Sequence, residues 1–257
     1  MTDPARAAAR PVQRRRRGPR TKAATLLAKH IVREIDRRGL CPGDKLLSEQ
    51  KMVERYGVAR GSLREALRYL ELQGVLRIKS GPGGGPVIER PNGRHFASTL
   101  ALMLQFVGAR FRSIIETRWV VEPGIAALAA EHATAADLAA LRQCLDAMRA
   151  ELHDAPRFQE HNRRFHDLLA LASDNPIFRF LLPALHWISR GSGVEYSEAE
   201  RKRILRAMRR IFTAIAARDR QAAAAAMGAF FGASLDYLDR TYPDVMARPL
   251  TWDDFER

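Results

Sequence analysis

Two groups of side chains in this 257-residue sequence have the types and spacing for chemistry. The first is a stripe of arginines, Arg60, Arg64 and Arg68, set four residues apart. Beside it Leu63, Ala66, Leu67 and Leu70 recur at i, i+3, i+4 and i+7, one face of an α-helix. Such a helix docks on a core by its apolar face and shows guanidinium groups to an anion. Each guanidinium is a planar fork of donors that fits a phosphate or the O6/N7 edge of guanine. Taken alone, the stripe fits the solvated face of an ordinary surface helix equally well. The second group is Asn162 and His166, one helical turn apart and so on a common face, with Arg118 upstream. His166 is either a ligand contact or a buried histidine bonded to a neighbour. Arg118 has two readings as well: a partner for a ligand carboxylate or phosphate, or for Glu122 four residues on. No nucleophile–base constellation accompanies them. GxSxG and HExxH are lacking, and neither cysteine has a recurrent histidine partner, so no enzyme is expected.

The arginine stripe needs a scaffold, and the flanking sequence supplies one. Ser48 is placed to cap a short helix over 49–56, Gly57 makes a turn, and Gly74 stops the arginine-bearing helix. An earlier helix is expected over 23–38, with Leu26, Leu27, Ile31 and Ile35 as its apolar side. After Gly74, residues 75–79 alternate like a strand, 80–85 form a glycine-rich tip and 86–89 return. Lys79, Ser80 and Gly81 sit at that tip, where backbone amides can approach phosphate unobstructed. It is not a nucleotide loop, because no Gly-Lys-Ser/Thr follows. The outline is a helix-turn-helix with a β-hairpin wing.

Charge supports a polyanion partner for this half. The chain holds 43 Lys/Arg against 29 Asp/Glu, a net +14. Residues 1–22 carry 8 basic and 1 acidic side chains, residues 23–90 carry 13 and 8, and residues 91–257 carry 22 and 20. The excess is therefore concentrated in the first third, the footprint of a nucleic-acid-binding module joined to a nearly neutral one. Residues 1–22 read as a disordered basic arm, serving phosphate or minor-groove contact or simply solubility. The arm has no apolar face for a membrane surface and no apolar core for a secretory signal, and no run of about 18 apolar residues follows. Cys41 and Cys144 stand in unrelated contexts, which points to a reduced, cytoplasmic compartment and to cysteines acting as small hydrophobes.

Residues 91–95 read as a linker, and 96–240 as almost wholly helical. Helices are expected over about 96–107, 111–131, 135–151, 156–171, 176–189, 197–217 and 219–239, with an irregular tail over 241–257. Thr134-x-x-Asp137 and Ser197-x-x-Glu200 are capping-box starts, and Pro123 should kink the second of these helices.

Gly39-Leu40-Cys41-Pro42-Gly43, Ser48-Glu49, Tyr56-Gly57-Val58-Ala59-Arg60, Leu63-Arg64-Glu65-Ala66-Leu67 and Gly74-Val75-Leu76, in this order before a glycine-rich wing, resemble the winged helix-turn-helix of the GntR family of bacterial transcription regulators. The resemblance places the family's DNA contacts on Arg60, Ser62, Arg64 and the wing residues Lys79, Ser80 and Gly81. A further contact position, often Arg in the family, is Gln50 here. Arg118 to Pro123, Ala127 to Ala130, Asn162-x-x-x-His166, Ser173 to Pro176 and Ala214-Ile215-x-x-x-Asp219 resemble the all-helical effector domain of the FadR-like branch. The implied fold is mainly α: a winged helix-turn-helix (23–90) followed by an all-α bundle. The implied protein is a homodimeric regulator, by default a repressor, that binds double-stranded operator DNA and a small-molecule effector.

In many members of that branch Asp/Asn and His at the positions of Asn162 and His166 join two further histidines around a divalent metal. The last two positions here are Met208 and Phe230, poor ligands for such an ion. No metal and no cofactor are expected. The resemblance then implies an effector pocket of Arg118, Asn162, His166, Met208 and Phe230, taking an acyl-chain or a carboxylate metabolite, with Met208 and Phe230 tilting toward the acyl chain. The alternative is a general architectural DNA binder whose helical half only dimerises.

Overall fold

The computed structural model describes residues 19–81, 83–90 and 93–252. The chain divides into two compact units, Met1–Pro91 and Asn92–Arg257.

In the first unit α1 (Pro19–Arg37), α2 (Glu49–Tyr56) and α3 (Arg60–Leu72) precede the strands β1 (Leu76–Lys79) and β2 (Gly85–Ile88). Of the expected basic arm, residues 1–18 lie outside the described residues, whereas 19–22 already belong to α1. Ser48 caps α2 by accepting from the Lys51 amide, and Gly57 ends it in the left-handed region at φ 60°. Leu63, Ala66, Leu67 and Leu70 are buried against Ala24, Leu27, Ala28 and Ile31 of α1. Burial of each large side chain contributes about 1.5–3 kcal/mol, which fixes the face α3 turns inward. Leu26, expected on the inner side of α1, is instead 59% exposed; alanines 24 and 28 take the inward positions.

β1 and β2 pair antiparallel with Leu76 opposite Ile88 and Lys79 opposite Gly85. Gly84 admits no side chain, since a Cβ there would stand 2.3 Å from the Lys79 carbonyl. The hairpin has a third pairing segment, residues 43–46. Gly43 donates to Ile88 O (2.8 Å), Ile88 donates to Asp44 O (2.9 Å) and Leu46 donates to Pro86 O (2.9 Å). The connection between α1 and α2 is thereby tied to the wing.

The second unit contains α4 (Gly93–Phe106), α5 (Phe111–His132), α6 (Ala135–Ala150), α7 (Ala155–Ala172), α8 (Phe178–Ser189), a 3-10 turn (Arg190–Ser192), α9 (Glu198–Ala216), α10 (Arg220–Thr241) and α11 (Pro243–Ala247). α4 starts inside the expected linker. Thr134 and Asp137 form the reciprocal capping box of α6. At α9 Ser197 accepts from the Glu200 amide, but the Glu200 carboxylate turns to Arg203 instead. Pro123 lies inside α5 without ending it. One core gathers buried side chains of α5, α6, α7, α9 and α10; a second gathers those of α4, α5, α8 and the C-terminal segment. The expected irregular tail is thus partly ordered: α10 runs on to Thr241, α11 follows, and Leu250 is buried with its amide donating to Ala109 O at 2.9 Å. Cys144 is buried and Cys41 exposed, both free, so only the former acts as a core hydrophobe.

Candidate DNA-contacting surface and effector pocket

With its leucines turned inward, α3 leaves Arg60, Arg64 and Arg68 exposed along its outer side. Arg64 Nε donates to Glu49 Oε2 at 2.9 Å. The Arg60 guanidinium bonds the Gln50 amide oxygen, and Gln50 Nε2 donates to Glu54 Oε1 at 2.7 Å. The structure therefore brings Gln50 and Arg60 together: where an arginine would add a charge, Gln50 holds the neighbouring arginine. Ser62 is half-buried in the first turn of α3. Lys79, Ser80 and Gly81 are exposed at the hairpin, where Lys45 Nζ donates to Gly83 O at 3.1 Å. Behind this surface Glu34 is buried and accepts from Tyr56 Oη at 2.7 Å, with Arg55 at 2.9 Å. The Tyr56 bond, aided by Arg55 and Arg38, outweighs burial and lowers the Glu34 pKa; burial and Glu34 push Tyr56 up to about 12.

The five residues expected in the effector pocket separate in space. Arg118 and Asn162 line a cavity of about 70 Å³ together with Gln159, Arg163, Ser192 and Tyr196. His166 is buried, its Nδ1 bonded to the buried carboxylate of Glu122, which also accepts from Arg118 Nε at 2.6 Å. Both readings of Arg118 and of His166 thus meet in one network. Phe230 packs on the His166 ring with centroids 5.8 Å apart. Met208 is fully buried in the apolar core and does not line the cavity.

Sequence reasoning misses three members of this cluster. Glu122 enters it only as a helix partner of Arg118. Asp167 and His186 bond each other, Oδ1 to Nδ1 at 2.8 Å, and the His186 and His166 rings lie 5.7 Å apart. Burial lowers the His186 pKa well below its ordinary value, with Arg118 adding to the effect. Burial raises Asp167 to about 6. Burial outweighs its acidic neighbours at Arg163 and, with Arg190, lowers its pKa. Among the described residues, four buried side-chain atoms have no hydrogen-bond partner: Asn162 Oδ1, Arg163 Nε, His166 Nε2 and His186 Nε2. Orphaned polar atoms of this kind call for a ligand or ordered water. The donor set does not fit the four-ligand metal of the resemblance. Phe230 and Met208 occupy two of its positions, and among the described residues no three His, Cys, Asp or Glu side chains converge as ligands.

Family models match both units. The model for bacterial regulatory proteins of the gntR family covers residues 24–84, and the FCD domain model covers residues 113–233. The HTH-type transcriptional regulator LutR of Bacillus subtilis is 32% identical over 143 residues, 56% of this chain and 64% of that protein. The HTH-type transcriptional repressor NanR of Edwardsiella tarda is 33% identical over 178 residues, 67% of this chain and 66% of that protein. The chain spans just under two thirds of the length of these relatives. A solved Streptococcus agalactiae GntR structure superposes with a TM-score of 0.65 at 24% identity, covering 83% of this chain and 99% of that one, a likeness of fold. The matched domains and relatives are those of transcription regulators, not of enzymes. With a gntR-type winged helix-turn-helix ahead of an FCD domain, the chain belongs to the GntR family of bacterial regulatory proteins.

Proposed function

We propose that this protein is a cytoplasmic transcriptional regulator that binds a pseudo-palindromic operator as a homodimer and releases it when a small molecule occupies the helical domain. The observation that carries the DNA half is α3, whose outer side offers Arg60, Arg64 and Arg68 beside an exposed, glycine-rich wing. Arginines at the mouth of a major groove read guanine, while the wing and the basic N-terminal residues add phosphate contacts. Dimer symmetry sets the spacing of half-sites. Repression is the mode given in the name of the NanR relatives. No helix of the described residues is long and apolar enough to cross a membrane.

The effector reading rests on the cavity beside Arg118 and Arg163. Most of its lining is polar, with Phe111, Ile115 and Val194 as the apolar part, and Asn162 and Arg163 each bring an orphaned atom to it, which favours a small carboxylate or phosphate over an acyl chain, against the tilt that Met208 and Phe230 lend in the sequence. An anion there would accept from Arg163 Nε and satisfy a half-buried guanidinium. Binding would shift the population between two placements of the DNA-binding heads.

The test is fluorescence anisotropy with the chain's own upstream DNA and a scrambled duplex at one salt concentration. A specific regulator gives an affinity ratio of roughly 10³ or more. A ratio near one supports the architectural reading instead. Addition of small carboxylates to the specific complex then shows whether the cavity controls it.

A further inference from the structure

Arg60 opens α3 with little of its own helix to hold it. It is the first residue of the helix, Ala59 before it gives no side-chain cap, and the first turn contains no acidic residue. Gly61 follows, so neither neighbour in the chain offers a side chain long enough to pack on the guanidinium. The partial positive charge at a helix N-terminus also disfavours a cation there. A long exposed side chain placed in this way samples many rotamers, and that freedom has to be given up when it reads a base.

The contact that holds it comes from α2. The Arg60 guanidinium donates to the Gln50 amide oxygen, while Gln50 Nε2 donates to Glu54 Oε1 at 2.7 Å. Gln50 and Glu54 stand four residues apart, on one face of α2. The order Glu54–Gln50–Arg60 asks for a side chain that gives a hydrogen bond to a carboxylate and takes one from a guanidinium. An amide does both; neither an arginine nor a carboxylate can. Because Glu54 takes the nitrogen, the oxygen is left for Arg60. Gln50 is neutral, so Arg60 keeps its full charge for DNA, and its remaining donors are free for a guanine edge. Arg64, one turn further on, is held differently, by the Glu49 carboxylate at 2.9 Å.

We propose that Gln50 is a positioning residue for sequence readout: anchored by Glu54, it directs Arg60 to one base pair of each half-site and does not read a base itself. The inference rests on the reading of α3 as the recognition helix. The test uses the full chain and a duplex that wild type selects from a random pool, with each base pair of a half-site then changed singly. Affinities are read by anisotropy at one salt concentration. The base pair at which Arg60→Ala loses discrimination marks the Arg60 position, and wild type should discriminate there by about 10-fold or more. Gln50→Met, close in size but unable to make either bond, should lower that discrimination by about 3- to 10-fold and leave the other base pairs as they were. Glu54→Leu should lower it at the same base pair, whereas Glu54→Gln, which still accepts from Gln50, should keep it. Wild-type discrimination in Gln50→Met overturns the proposal. So does a loss at a different base pair, which would make Gln50 a base reader, and so does an equal loss at every base pair, which would make it merely structural. An Arg60→Ala variant that discriminates as wild type does overturns it as well, leaving α3 to its other arginines. A wild type that discriminates at no base pair overturns the reading of α3 and this proposal with it. Gln50 and Glu54 are both exposed, so the fold should persist. If circular dichroism shows Gln50→Met unfolded, the two Glu54 variants decide, and equal discrimination by both overturns the proposal.

Discussion

Replacing Glu122 by Gln removes the one carboxylate that joins Arg118 to His166. Glu122 is 1% exposed, the Arg118 side chain 12% and the His166 side chain 1%, so water screens none of these contacts. Burial by itself would raise the Glu122 carboxyl, but Arg118 and then His166 overcome it and hold it at about 2, against an ordinary 4.5. Each tenfold change in acidity is worth about 1.4 kcal/mol, so the carboxylate form contributes about 3 kcal/mol to the folded helical domain. Breaking a buried pair from one side costs a similar 3–5 kcal/mol. For a domain of this size that destabilisation lowers Tm by about 6–12 °C. Because the folded pKa is depressed, the contribution is present above pH 4.5 and disappears as the pH falls toward 2. Calorimetry of wild type and Glu122→Gln from pH 7 to pH 2 should therefore show two melting curves that converge in acid. A gap under about 1 kcal/mol at pH 7 would refute the reasoning, as would a gap that does not close below pH 4.5.

Three further outcomes are expected. Arg64→Ala should weaken operator binding by about 10- to 100-fold while barely changing binding to a scrambled duplex; its exposed pair with Glu49 is worth at most about 1 kcal/mol and does not hold it back from DNA. Deleting residues 1–18, which spares α1, should reduce the slope of log affinity against log salt by about 0.9 for each phosphate that is no longer neutralised, read from a salt titration by anisotropy. Met208→Ala should destabilise the helical domain by about 2–5 kcal/mol in chemical denaturation, the cost of a cavity at a fully buried site, with effector response retained.

What can be read from the chain in order is local in its causes. The Ser48 cap, the Gly57 turn and the inward leucines of α3 each depend on residues within about one turn, and the recognition helix emerges from them. The pocket depends on distant partners. Glu122 meets His166 across 44 residues, and His186 comes from α8, where the run from Phe178 to Ile188 reads as plain core. One signal is there: His186 sits four residues after Leu182 on the buried face, and a polar side chain there has to find a partner. Nothing local announces that Asp167 is that partner, or that the expected tail carries Leu250 to the corner between α4 and α5. The ordering of Pro19 to Lys22 into α1 is hidden by composition, since a Pro at a helix start and a basic flank look the same in a helix as in a loose arm.

The pairing of residues 43–46 with β2 has a practical meaning for anyone who alters this protein. A loop between two helices is normally the place to add residues, because its length is weakly constrained. Here the α1–α2 connection behaves as a strand whose register is set by the Gly43–Ile88 and Leu46–Pro86 bonds, and Lys45 reaches on to Gly83. A one-residue insertion after Asp44 would move Leu46 out of step with Pro86 and turn its side chain to the opposite face. The wing would then lose its brace although no wing residue had changed. Labels, tags and domain fusions are better placed ahead of α1, and the α1–α2 connection is better treated as part of the sheet.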